Sequence, residues 1–211
     1  MEHDLSAQKP RDFDREAAGW DNEPRRLKMA ADVVSAIGRT VPLNPDMDLL
    51  DFGCGTGLVG LALRPRVASA TCADTSRGMV EVVRQKATAG GMTGVTPLWL
   101  EDPDEVRIDG SFDVIVSAMT LHHVPDTAKL IGCLAGLLRP GGWICLADLD
   151  PEDGSFHTDP TGVYHHGFDR EELCRILSAA GLADAGGQNA ACIAKSDRLY
   201  SVFLVTGRKP A

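Results

Sequence analysis

The feature that most limits how this chain can fold is a short apolar run that ends in closely spaced glycines. Asp48 to Phe52 has the pattern of a strand buried on both faces. It passes at once into Gly53-Cys54-Gly55-Thr56-Gly57 and then into the helix-like residues Leu58 to Leu63. A strand, a glycine-rich turn and a helix in that order open a doubly wound α/β sheet, which binds ligands at the carboxyl ends of its strands. Glycine suits such a turn because it tolerates positive φ and lets a ligand approach the backbone closely.

The rest of the chain repeats the alternation. Strands are expected over 68–73, 95–100, 112–117 and 143–149, with helices over 76–89 and 126–138 between them. Ser76 is the expected N-cap of the helix that follows it. The 126–138 helix is expected to end at Pro140-Gly141-Gly142, and a further helix over 169–180 to end at Gly181. Two last strands, about 191–194 and 200–206, stand close enough to form a hairpin, which makes the final strand antiparallel to the others. Residues 12–37 are helical in pattern and interrupted near Pro24. The domain plan is therefore an N-terminal helical extension or lid over 1–44 and one domain over 45–211. The fold class is a Rossmann-like, seven-stranded, mostly parallel sheet with helices on both faces.

The turn admits two chemistries. Gly55, Gly57 and Gly60 spell Gly-x-Gly-x-x-Gly, a dinucleotide fingerprint that is weak by itself. Asp51 argues against it: a carboxylate two residues before Gly53, the first glycine of the turn, repels a pyrophosphate and favours an ammonium group. Asp74 closes the second strand, where an acid can take both hydroxyls of a ribose; it can equally be an acid at the start of a helix beside Thr75 and Ser76. Glu101 and Asp102 follow the third strand, either as an acceptor for an adenine amino group or as solvated loop acids. Ala118 and Met119 follow the fourth strand and belong beside a cofactor, with Met119 and Leu121 either wall or core. Trp20 reads as a lid or as an anchor for the N-terminal helix.

Taken together, DFGCGTG (51–57), ADTS (73–76), FDVIVSAMTLHHV (112–124) and LLRPGGWICLADL (137–149) resemble a class I S-adenosylmethionine-dependent methyltransferase, in the right order and over roughly residues 45–206. The resemblance implies S-adenosylmethionine as cofactor, with its demethylated product S-adenosylhomocysteine. It implies contacts at Asp51, Gly53, Gly55, Gly57, Asp74 and Asp102, and backbone contacts near Ala118 and Met119. Cys54, Thr75, Glu101 and Trp20 complete the candidate cofactor set. S-adenosylmethionine carries an ammonium and no phosphate, which agrees with Asp51. In the third-strand motif Glu101-Asp102-Pro103 replaces the commoner Asp-Ala pattern.

The methyl acceptor is expected between the N-terminal helices and the segment after the fifth strand. That segment, 148–168, gathers acids with His157, Tyr164, His165 and His166. Three readings stay open for it: an acceptor-binding lid with a general base, a loop whose polar groups satisfy one another, or a metal site whose spacing fits no standard motif. His122, His157 and His166 are the candidate bases, and His123, Tyr164 and His165 the candidate acceptor contacts. No metal is assigned.

Composition narrows the partners. The net charge of −9 disfavours nucleic acid, and no apolar run reaches membrane length. Six cysteines without Cys-x-x-Cys pairs suit a reducing compartment; five of them read as small core residues. The expectation is a cytoplasmic enzyme, monomer or homodimer, that methylates a small molecule. The alternatives are a non-catalytic S-adenosylmethionine-binding protein and a nucleotide-dependent oxidoreductase.

Overall fold

A computed structural model describes residues 12–101 and 107–211. Among them, strands β1 (Asp48–Phe52), β2 (Ser69–Asp74), β3 (Val95–Trp99), β4 (Phe112–Ala118), β5 (Leu138–Leu149), β6 (Ala183–Lys195) and β7 (Arg198–Arg208) form one sheet in the order β3-β2-β1-β4-β5-β7-β6. β1 through β5 pair in parallel, whereas β7 runs antiparallel to both β5 and β6. The order reverses between β1 and β4, the topological switch point at which such sheets bind ligands.

The strands are apolar almost throughout because both faces are covered. Alternate residues point to opposite sides. Leu50, Ile115, Ile144, Leu146, Phe203 and Val205 join one core with Leu130, Ile131 and Leu134 of α5 (Thr127–Leu137) and Leu173 and Leu177 of α6 (Arg170–Ala179). Leu49, Val114, Val116, Cys145, Val202 and Leu204 join the other, against Ala30, Val33, Ala36 and Ile37 of α2 (Pro24–Thr40).

The N-terminal segment starts with α1 (Phe13–Glu16), tightens into a 3-10 turn over Ala17–Asn22 and restarts at Pro24, where proline fits the first turn of a helix. α3 is short (Gly60–Leu63), because residues 58–59 belong to the glycine turn. Ser76 caps α4 (Arg77–Ala89) by accepting the Met79 N–H at 3.1 Å. β5 starts at Leu138 and carries Pro140-Gly141-Gly142 inside it, so the helix before it ends at Leu137 rather than at the glycines. β6 and β7 are longer than their apolar cores suggest. The core reading of five cysteines needs correction: Cys72 and Cys145 are buried, but Cys133 and Cys192 are exposed and Cys174 is half-buried.

Candidate functional site

A cavity of about 690 Å³ opens at the carboxyl ends of β1, β2 and β4. Its floor is the glycine turn. Gly53 has φ +67°, and a Cβ there would fall on the Thr120 side chain, so only glycine lets the turn lie this close to the end of β4. Gly53 and Cys54 both donate backbone N–H groups to Ala73 O, at 2.8 and 3.0 Å, which ties the turn to β2.

Two carboxyl groups face this cavity, Asp51 buried and Asp74 half-buried. Asp51 is 1% exposed, and its Oδ2 accepts the Gly60 N–H at 2.8 Å. Burial drives its pKa up, the Gly60 bond opposes the rise and the nearby Asp74 adds to it, leaving the group pushed up to about 7. Asp74 accepts the Gly55 N–H at 2.7 Å and the Ser76 N–H at 2.8 Å. Its pKa is also raised by burial, less the effect of those backbone donors. Each oxygen still has lone-pair capacity toward the cavity.

At the end of β4, Met119 adopts φ +56° while its N–H bonds Ala147 O at 2.8 Å. A non-glycine residue held in the left-handed region stores strain, which clusters at functional sites. The next turn, Leu121–His123, divides its side chains: Leu121 enters the core, while His122 and His123 line the cavity. His122 Nδ1 lies 2.8 Å from Asp148 Oδ1, with both side chains essentially buried. Burial alone would raise the Asp148 pKa; the His122 ring and the Leu149 and His122 N–H donors hold it below the usual value. His123 Nδ1 is 2.6 Å from Gly162 O, and the His157 ring stands 4.7 Å from that of His122.

The segment after β5 is pinned over this turn. The Tyr164 N–H donates to His122 O at 2.9 Å, and His165 Nε2 lies 2.9 Å from Val124 O. From the other side, the N-terminal segment closes the cavity with Phe13 and Trp20. Phe13 packs edge-on to Trp20 and His123, and the Arg26 guanidinium lies 3.6 Å over the Trp20 ring. Two polar latches fix it. Asp14 Oδ1 accepts from Ser76 Oγ at 2.5 Å and from Gly78 N at 2.8 Å, while Asp21 accepts from Thr56 Oγ1 at 2.6 Å and pairs with Lys86.

Of the residues expected at the site, Trp20, Asp51, Gly53, Cys54, Gly55, Asp74, Thr75, Ala118, Met119, His122, His123, His157 and Tyr164 line the cavity. Gly57 and Glu101 lie outside the lining; Leu100 takes the place of Glu101 there. His165 and His166 also lie outside it, with His166 3.4 Å from Glu152. Asp102 falls outside the described residues. Among the described residues, no group of three His, Cys, Asp or Glu side chains is placed to hold a metal ion. Sequence reasoning missed Asp148 as the partner of His122. The signal was a carboxylate between Ala147 and Leu149 in an apolar strand, where burial demands a partner.

These features fit the cofactor that the resemblance implies. The buried carboxyl Asp51 gains most from a cationic ligand group, since an ammonium would favour its ionised form. Asp74 offers a second carboxyl group beside the open glycine turn, where a Cβ on Gly55 would meet nothing within 4 Å.

The profile of the methyltransferase domain matches residues 22–186. An uncharacterised methyltransferase of Schizosaccharomyces pombe is 32% identical over 154 residues, 66% of this chain and 54% of that protein. The 27-O-demethylrifamycin SV methyltransferase of Amycolatopsis mediterranei is 30% identical over 155 residues, 68% of this chain and 55% of that protein. The chain thus spans about half the length of the curated relatives it matches. A SAM-dependent methyltransferase from Aquifex aeolicus shares the fold, with a TM-score of 0.68 at 20% identity, covering 92% of this chain and 97% of that one. The domain match, the reversed last strand and the two carboxyl groups around the glycine turn agree, and this chain belongs to the class I S-adenosylmethionine-dependent methyltransferases.

Proposed function

We propose that the chain transfers the methyl group of S-adenosylmethionine to a small molecule bound in the same cavity. The observation that carries this reading is the cavity's continuity. One cavity takes in Asp51 and Asp74 beside the glycine turn together with Phe13 and Trp20 of the N-terminal segment and Phe156 and Tyr164 after β5. Its volume, about 690 Å³, lies within the usual range for small-molecule sites.

S-adenosylmethionine supplies an activated methyl group on a sulfonium. The protein's own residues hold, align and dry the reactants. Asp51 and Asp74 fix the donor's position, and the N-terminal segment and the 151–168 segment close over the acceptor. Alignment of this kind is worth roughly 7–11 kcal/mol. We read the N-terminal extension, 1–44, as a lid whose described part over the cavity is residues 12–22. The net charge of −9 supports a small acceptor over nucleic acid, and six unpaired thiols suit the reducing cytoplasm. Among the described residues, no helix is long and apolar enough to cross a membrane.

Calorimetric titration tests the reading. S-adenosylmethionine and S-adenosylhomocysteine are expected to bind the native chain, and binding is expected to be lost in Asp51→Ala and Asp74→Ala. Binding of NADH instead, or of no ligand, overturns it.

A further inference from the structure

We infer that His122 is the general base of the reaction, that Asp148 is its positioning residue, and that the acceptor is a molecule without an anionic anchor, methylated on a hydroxyl oxygen. The inference rests on the cofactor reading above. It starts from a juxtaposition: a carboxylate and an imidazole, both withdrawn from solvent, 2.8 Å apart, with the imidazole on the cavity wall.

The tautomer follows from the acid. Asp148 is held ionised, so it only accepts hydrogen bonds. The N–H donors of Leu149 and His122 approach it at 2.8 and 3.3 Å and fix its plane. His122 Nδ1 must therefore carry the proton in its bond to Asp148, which leaves Nε2 as the ring's proton acceptor. His123 from the same turn and His157 from the segment after β5 flank the ring at 4.2 and 4.7 Å.

A base on the cavity wall bears on what is methylated. A neutral amine, a thiolate or a carbanion attacks without surrendering a proton to the enzyme at that moment. A neutral hydroxyl is too poor a nucleophile unless its proton leaves. In the step inferred here, the hydroxyl oxygen forms the O–C bond to the methyl group. The C–S bond breaks with its electron pair returning to sulfur, which leaves a neutral thioether. The hydroxyl proton passes to His122 Nε2, and the imidazolium so formed is stabilised by the Asp148 carboxylate and later returns the proton to water.

The cations that line the cavity point to an acceptor without an anionic anchor. Arg25 binds both oxygens of Glu23, at 3.0 and 2.9 Å. Arg26 reaches Glu16 at 4.0 Å and stacks on Trp20. Lys195 donates to Thr158 Oγ1 at 2.9 Å and to Phe156 O. Each cation is already engaged, so an anionic anchor on the acceptor would have to displace an existing partner.

The test has two arms. ¹⁵N-histidine NMR of the native chain is expected to show His122 with Nδ1 protonated and Nε2 bare, and Asp148→Asn to reverse that tautomer. Turnover is then measured with neutral hydroxylated aromatics of graded acidity and with amines and thiols on the same frames. Hydroxyl compounds are expected to be methylated. His122→Asn and Asp148→Asn should each lose 10²-fold or more in kcat, with S-adenosylmethionine affinity kept and the loss smallest for the most acidic hydroxyl. A merely structural pair would not show that selective rescue. Methylation of amines or thiols only, no turnover with any hydroxyl compound, an Nε2-protonated His122, or unchanged kcat in both variants overturns the inference. Failure of S-adenosylmethionine to bind at all overturns the cofactor reading instead, and calorimetry reports that separately.

Discussion

Asp51 shows how one residue ties ligand recognition to stability. Its pKa lies near 7 in the folded chain against 3.8 for the free side chain. A raised carboxyl pKa means that the folded state holds the proton more tightly than the unfolded state. This stabilisation is fully present below about pH 4 and is lost as pH rises through 7. At 1.36 kcal/mol per unit, the difference is about 4 kcal/mol. The ligand-free chain is therefore expected to lose stability between pH 5 and pH 8 by more than Asp51→Asn does, as thermal melts of both will show. Binding has the opposite sign: a cationic ligand group needs the ionised carboxylate. Affinity for S-adenosylmethionine should weaken up to tenfold per unit as pH falls from 7 to 6, and calorimetry of Asp51→Asn should show weaker binding without that slope. Gly53 gives a plainer case. Alanine there must hold φ +67° and displace Thr120, and a cost of about 1–3 kcal/mol is expected in chemical denaturation.

At the scale of elements, the N-terminal segment is latched to the domain by Asp14, on Ser76 and Gly78, and by Asp21, on Thr56 and Lys86. Asp14 serves as a second acceptor at the start of α4, and neighbouring hydrogen bonds and Arg77 hold its carboxyl below the usual range. Asp14→Ala removes about 1 kcal/mol, the worth of a helix cap. The predicted result is faster amide exchange over residues 12–22 and an affinity for S-adenosylmethionine lowered about threefold to tenfold, with the exchange of β1 and β4 unchanged. Equal exchange in both proteins would mean that the latch does not hold the segment. What could be read from the sequence also divides by element. β1, β4 and the Ser76 cap were legible because each depends on neighbours a few residues away. The full length of β6 was not, since Gly186-Gly187-Gln188-Asn189 lies exposed near the sheet edge and carries no apolar alternation. Nor was the division among the histidines. His122 meets an acid 26 residues distant, and His165 turns to Val124 O rather than to the cavity. Such pairings depend on how the segment after β5 folds back, which no local pattern encodes.

For the whole molecule, the two ends of the sheet do different work. The carboxyl ends of β1, β2 and β4 hold the cavity. At the opposite ends, Arg139 bonds Asp48 at 2.8 Å and also pairs with Asp113, joining β1, β4 and β5. A ligand that binds only the folded chain stabilises it by about 2.7 kcal/mol at 100 times its Kd. For a domain of this size each kcal/mol moves Tm by about 2–4 °C, so S-adenosylmethionine at that concentration should raise Tm by about 5–10 °C. Arg139→Ala removes partly exposed ion pairs worth about 1 kcal/mol and should lower Tm on its own. Sites this far apart with no shared partner add within about 0.5 kcal/mol. The ligand-induced rise is therefore expected to be the same in Arg139→Ala as in the native chain. A smaller rise in the variant would mean that the strand register set by Arg139 reaches the glycine turn, and the cavity could then no longer be treated as independent of the far end of the sheet.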